Sequence, residues 1–123
     1  MSQNHILSNK TLDFAVRIVN LYKYLTEEKR EYIMSKQIMR SGTNPGAMII
    51  EGLNAESDAD FVHKYSIAQK EIGETSYWLT LLLRTNILNE SEHNSLKIDA
   101  DEIMRLIRSA ILTKKQNMKK KES

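Results

Sequence analysis

Along most of this chain the apolar positions recur every three or four residues, the spacing that places side chains on one face of an α-helix. No period-two alternation runs far enough to mark a strand. Four stretches can be delimited. The first opens after an N-cap at Ser8 or Asn9 and runs to about Glu28, with Leu12, Phe14, Ala15, Ile18, Val19, Leu21, Tyr22 and Leu25 as its apolar set. That stripe is wider than a single helix–helix seam uses, which points to burial on two sides and hints at self-association. The second begins between Glu27 and Glu31 and presents Ile33, Met34, Ile38 and Met39. The third has Asp58 as N-cap or first-turn acid and ends at about Thr85, with Asn86 as its C-cap. Its main stripe is Phe61, Tyr65, Ala68, Ile72, Thr75, Leu79 and Leu82, and beside it runs a second stripe of Lys64, Ile67, Glu71, Glu74, Trp78 and Leu81. The fourth begins near Ser91 to Ser95, carries Leu96, Ile103, Leu106, Ile107, Ala110 and Ile111, and frays after about Thr113.

Between the second and third stretches lies RSGTNPGAMIIEG (40–52), with three glycines and the chain's only proline. If these residues ended the helix, the pattern beyond them would lose phase. It does not: Met34, Ile38, Gly42, Pro45, Ile49 and Leu53 keep three-and-four spacing straight through. The segment therefore reads as one interrupted helix, kinked or restarted near residues 41–46, with Pro45 in the first turn of the resumed part. Gly42, Gly46 and Ala47 would let a neighbouring helix come unusually close. Four amphipathic helices with short connections predict an all-α, antiparallel up-down-up-down four-helix bundle. The chain is read as a single domain over 1–123, with a flexible N-terminus (1–8) and a basic C-terminal tail (114–123).

Composition agrees with this and adds an asymmetry. At 123 residues, 41% apolar and 28% charged, the chain is of globular type and large enough for a real core. The formal net charge of +2 is unevenly placed: the tail KKQNMKKKES has five lysines and one glutamate, leaving 13 basic and 15 acidic residues elsewhere. Lysines 114, 115, 119, 120 and 121 thus form a cationic cluster on a near-neutral body. Such a cluster attracts phosphate polyanions by counterion release; equally, it serves as a solvated end that finishes a helix favourably. With no cysteine there is no disulfide, thiolate metal site or thiol nucleophile. No apolar run has the length of a signal-peptide core or of the ~20 residues of a membrane span, so the expectation is a soluble, cytoplasmic protein without membrane association.

Candidate chemistry is thin. Asp60/His63 and Glu90/His93 are i, i+3 pairs of the sort that hold metals in di-iron bundles, but they fall at the starts of antiparallel neighbours, ~36 Å apart for 24 helical residues. There is no G-x-S-x-G elbow and no phosphate-cradling glycine loop. No catalytic residue, cofactor or metal is predicted. Glu71 and Glu74 interrupt an otherwise apolar stripe. Exposed, Glu74 would pair with Lys70 at i, i+4; partly buried, the two would need Arg40 or a basic residue of another subunit. Together with Glu51, these residues (Arg40, Lys70, Glu71, Glu74) are the candidate polar network for helix pairing or oligomer register.

Two segments also carry a family resemblance. Arg40, Ser41, Thr43, Ala47, Ile49, Glu51 and Gly52 follow an R-S-x-T-S-I-x-A-N-I-x-E-G-like pattern. It departs at Asn44, Pro45 and Met48, where Ser, Ile and Asn are usual, and this bears on local helix geometry. Phe61, Lys64, Ser66, Ile67, Ala68, Lys70, Glu71, Glu74, Thr75, Tyr77, Trp78 and Leu79 fill F-x-x-K-x-S-I-A-x-K-E-x-x-E-T-x-Y-W-L densely. In both, the chain resembles the four-helix-bundle family encoded in 23S rRNA intervening sequences, ribosomal-protein-like and related to the accessory variability determinant of diversity-generating retroelements. The resemblance implies a non-enzymatic protein that assembles with itself, with a ring of five favoured. It further implies nucleic acid, RNA or DNA, as a partner, for which the five tail lysines are the candidate contacts by their charge. The alternative is a protein–protein scaffold that docks another protein and has no nucleic-acid role, for which the near-neutral body speaks.

Overall fold

A computed structural model describes residues 2–122, which form α1 (Gln3–Glu27), α2 (Met34–Leu53), α3 (Asp58–Arg84) and α4 (Glu90–Glu122). Each helix packs on its chain neighbours and α1 packs on α4, whereas among the described residues the backbones of the diagonal pairs stay more than 8 Å apart at Cα. With connections at 28–33, 54–57 and 85–89, this adjacency is that of the expected up-down-up-down bundle. All seven residues of the main α3 stripe are buried, and Leu7, Phe14, Ile18, Ile38, Ile49, Ile103 and Ile107 close the core around them.

The helix limits differ from expectation at three ends. α1 begins at Gln3 instead of near Ser8: the Ser2 hydroxyl oxygen accepts from the His5 backbone N–H at 3.2 Å, and Leu7 is fully buried, so the first residues are part of the bundle. Met1 lies outside the described residues. α2 begins at Met34, later than the 27–31 window, because Glu31 acts as its cap from outside. The carboxylate of Glu31 accepts from the backbone N–H groups of Ile33 (3.0 Å), Met34 (3.0 Å) and Ser35 (2.6 Å), three of the four donors a helix start leaves without partners. Its pKa reflects that arrangement: burial pushes it up, but the three N–H groups outweigh burial and hold it below the usual carboxylate range. α4, finally, does not fray at Thr113 but stays helical to Glu122. At its start Asn89 and Glu92 cap each other's backbone N–H groups at 2.8 and 3.0 Å, a capping box.

Within α2 no restart occurs: the helix runs unbroken through Pro45, which stands in its interior and not in a first turn. Pro45 and three glycines make this stretch roughly 6 kcal/mol poorer in intrinsic helix preference than alanines would, so packing must hold it. Gly42 and Gly52 show how. A Cβ on Gly42 would lie 2.6 Å from Ile18 Cγ1, and one on Gly52 would lie 2.6 Å from the Tyr65 ring. α2 is thus wedged against α1 at one level and α3 at the other, and Gly52 takes the inward place that the periodicity assigned to Leu53, which is partly exposed. The phenol of Tyr65, pushed up to about 12 by burial, lies 3.2 Å from Asn4 Oδ1 and ties the start of α1 to this end of the bundle.

The four glycines therefore divide by what a methyl group would meet. Gly42→Ala and Gly52→Ala should each lower unfolding free energy by about 1–2 kcal/mol, overpacking outweighing the gain in helix preference. Gly46→Ala, 3.5 Å from Thr11, and Gly73→Ala, 3.9 Å from Met104, should be neutral or raise it by up to about 1 kcal/mol. Urea unfolding of the four single variants distinguishes the two groups. Glu31→Gln is expected to cost about 1 kcal/mol at pH 7. Because the folded carboxyl sits below its unfolded value, that contribution is present above about pH 4.5 and is lost as pH falls through the folded pKa. The acid limb of the stability–pH curve should accordingly be shallower in the variant.

Candidate nucleic-acid interface and polar network

The basic end of the chain is built on α4. Lysine, glutamine and methionine are good helix formers, and positive charge in a final turn is favourable against the helix dipole, so LTKKQNMKKKE continues the helix past the last core residue, Ile111. Lys114 and Lys121 are two turns apart on one face, and both turn towards Asp58 in the first turn of α3: Nζ to carboxylate distances are 3.5 and 3.0 Å. Lys114 Nζ also stands 4.5 Å from the centre of the Phe61 ring, which itself stacks on Tyr65. Hydrogen bonding from Lys121 foremost, then the charges of Lys121 and Lys114, holds the Asp58 carboxyl below its usual range despite partial desolvation. Lys115, Lys119 and Lys120 are exposed. The five sequence-predicted lysines thus share one helical segment. Ser123, the last residue of the expected tail, lies outside the described residues.

The second candidate group lies on the outer seam of α2 and α3. Arg40 Nη1 donates to both oxygens of Glu71 at 3.1 and 3.2 Å, and Nη2 donates to Glu74 Oε1 at 2.6 Å. Trp78 Nε1 donates to the same Glu74 oxygen at 3.3 Å. Burial raises the Glu74 carboxyl, but Arg40 and Trp78 together bring it below the usual range. Directly beneath, the buried hydroxyls of Ser41 and Thr75 are 2.9 Å apart, and Thr75 donates to the Glu71 carbonyl at 2.8 Å. Glu51 is separate from this cluster and pairs with Lys64 at 3.1 Å, nearer the other end of the same seam. Lys70 is exposed and is not brought to Glu74: the planar fork of Arg40 takes that oxygen, with a geometry an ammonium cannot match. As the structure has it, the network joins two helices of one subunit.

Sequence reasoning did not find Asp58 as the partner of two lysines, nor the ties across the α1/α4 seam. There Arg17 donates to Asp99 at 2.6 Å and to the Ser95 hydroxyl at 2.8 Å, while Lys10 pairs with Glu102. Each pair is distant in the chain, and only the antiparallel order of the helices brings it together. His93 is buried, with Nδ1 2.9 Å from Asn94 Oδ1; its Nε2 is the one buried side-chain nitrogen or oxygen without a hydrogen-bond partner among the described residues. Among those residues no cluster of three or more His, Cys, Asp or Glu has the placement to hold a metal ion, and no helix is long and apolar enough to cross a membrane.

Against this geometry stand the known proteins. The family of the 23S rRNA-intervening sequence protein matches over residues 3–109, ending just short of the lysine segment. The crystal structure of a protein with unknown function from the S23 ribosomal protein family of Bacteroides thetaiotaomicron VPI-5482 is 49% identical, covering 89% of this chain and 98% of that one, with a TM-score of 0.89. No curated protein matches. With nearly its whole length matched and its four helices reproduced in that relative, the chain belongs to the 23S rRNA-intervening sequence protein family.

Proposed function

We propose that this protein is a non-enzymatic, self-assembling bundle that binds RNA through the helical end of α4. The observation that carries this reading is the continuation of α4 to Glu122, which places five lysines on a continuous helix instead of a loose tail. A rod presents its charges at fixed intervals, and repetition of the segment around an assembly multiplies the local potential although each body is close to neutral. The membership supports an rRNA-associated setting, and a ring of five copies is the assembly that the resemblance favours.

Self-association has its own support. On the outer side of the α1/α2 pair, Leu12 and Val16 are 63% and 54% exposed, and Ile50 and Leu53 are 50% and 39% exposed. Leu12 and Ile50 flank a shallow groove floored by Ala15, Gly46 and Ala47. A contiguous apolar strip of this kind marks a surface that is covered in the working assembly. The same strip supports the second reading, a scaffold that docks a different protein and has no nucleic-acid role.

Titration of a structured RNA hairpin at two salt concentrations tests the first reading. The expected result is binding at low salt, with a dependence on salt that weakens by roughly 0.7–0.9 in log–log slope for each phosphate-contacting lysine replaced by glutamine at positions 114, 115, 119, 120 and 121. No binding at low salt, or an unchanged slope in the five-glutamine variant, overturns it in favour of the scaffold. Mass in solution should show several copies for the native chain and a monomer for Leu12→Glu/Ile50→Glu. A native monomer contradicts the assembly.

A further inference from the structure

One carboxylate, that of Asp58, engages two lysines of the α4 end, Lys114 and Lys121. Asp58 Oδ1 faces Lys114 and Asp58 Oδ2 faces Lys121, so one side chain spans two turns of α4 and holds its end along the first turn of α3. Lys114 is further fixed over the Phe61 ring. Asp58 is itself in a favourable place, since an acid in a first turn is stabilised by the helix dipole, and the lysines close the last turns of the opposing helix. The contact is nonetheless open to water: Asp58 is 31% exposed and Lys121 72% exposed at the side chain. Exposed pairs of this type are weak and salt-sensitive, which is what a displaceable contact requires.

We infer that Asp58 is an internal competitor for the polyanion site: it latches Lys114 and Lys121 in the free protein and yields them to phosphate when RNA arrives. The inference rests on the RNA reading above and adds its regulation. In the latched state Lys114 and Lys121 are held towards Asp58, and a strand that meets the rest of this helix end then brings phosphate up to the latch. Breaking the latch costs part of the binding free energy, so the latch lowers affinity at low salt, and because the ion pair itself weakens with salt it makes the salt dependence slightly shallower. It also makes weak polyanions poor ligands, because they must displace the carboxylate to gain the second pair of contacts.

The test uses the intact protein, the same RNA hairpin and two neutralising variants with equal change in net charge. Asp58→Asn removes the latch. Glu28→Gln removes an exposed acid at the C-cap of α1, at the opposite end of the bundle. The expected result is affinity raised about two- to fivefold in Asp58→Asn, the range that exposed ion pairs correspond to. Its salt slope should be slightly steeper, because native binding must first break an ion pair that salt itself weakens, while Glu28→Gln stays at the native value. An equal rise in both variants overturns the inference, since net charge alone would then suffice. No change in Asp58→Asn when the native protein binds overturns the latch and leaves the RNA reading standing. Absence of binding by native protein and variant alike overturns the RNA reading beneath it. An RNA-free readout tests the latch separately: amide exchange at residues 117–121 should be several-fold faster in Asp58→Asn, and unchanged protection contradicts a latch at that end.

Discussion

The architecture depends on how closely the backbone of α2 approaches its two neighbours. At Gly42 the space a methyl group would need is filled by Ile18 of α1, and at Gly52 it is filled by the ring of Tyr65 of α3. These two contacts, ten residues apart on one helix, fix α2 against both sides of the bundle and so fix α1 relative to α3. They also explain how a helix with Gly42, Asn44, Pro45 and Gly46 in its interior remains continuous: isolated, such a segment would be a poor helix, but its inward face is buried along its length. Close approach leaves no room at these levels for larger side chains on α2, while Leu12 and Ile50 lie exposed on the outer side of the α1/α2 pair.

Around that apolar frame, charge is arranged by seam. The α2/α3 seam carries Arg40 with Glu71 and Glu74 at one level and Lys64 with Glu51 at another; the α1/α4 seam carries Arg17 with Asp99 and Lys10 with Glu102. These pairs are partly exposed and contribute modest stability each. Their value lies in register, because each permits one vertical alignment of its helices and penalises others by leaving charges unpaired. The basic end of α4 follows the same logic: it is aligned with the start of α3 by Asp58, so the lysine-rich segment is continuous with the bundle.

Much of this was readable from the residues because burial imposes a period. Every residue of the Phe61-to-Leu82 stripe is buried as the three-and-four spacing required, and the phase held across Pro45 because the helix is in fact unbroken. The misses have a common origin in signals that periodicity does not carry. Ser2 and Glu31 set two helix starts through single hydrogen-bonding side chains, and Glu31 does so from outside the helix it caps. The polar residues after Ile111 give no burial pattern, so the persistence of α4 rests on propensity, dipole and the Asp58 contact. Gly52 replaces Leu53 at the core because a ring from α3 needs the space, a fact about another helix. For the candidate site, the lysines and the Arg40–Glu71–Glu74 grouping were found from composition and stripe position. Asp58 was legible as an acid at the start of its helix, but its pairing with Lys121, far away in sequence, had no local signal.

The most direct measurement of the close-approach claim is a double-mutant cycle in urea between Gly42→Ala and Ile18→Ala. If the Cβ at 42 and the side chain of Ile18 compete for one space, the cavity left by Ile18→Ala accommodates the methyl group, and the double variant should be more stable than the sum of the two single losses by at least about 1 kcal/mol. Strict additivity of the two substitutions would contradict it, because α2 would then owe its position to something other than contact between these atoms.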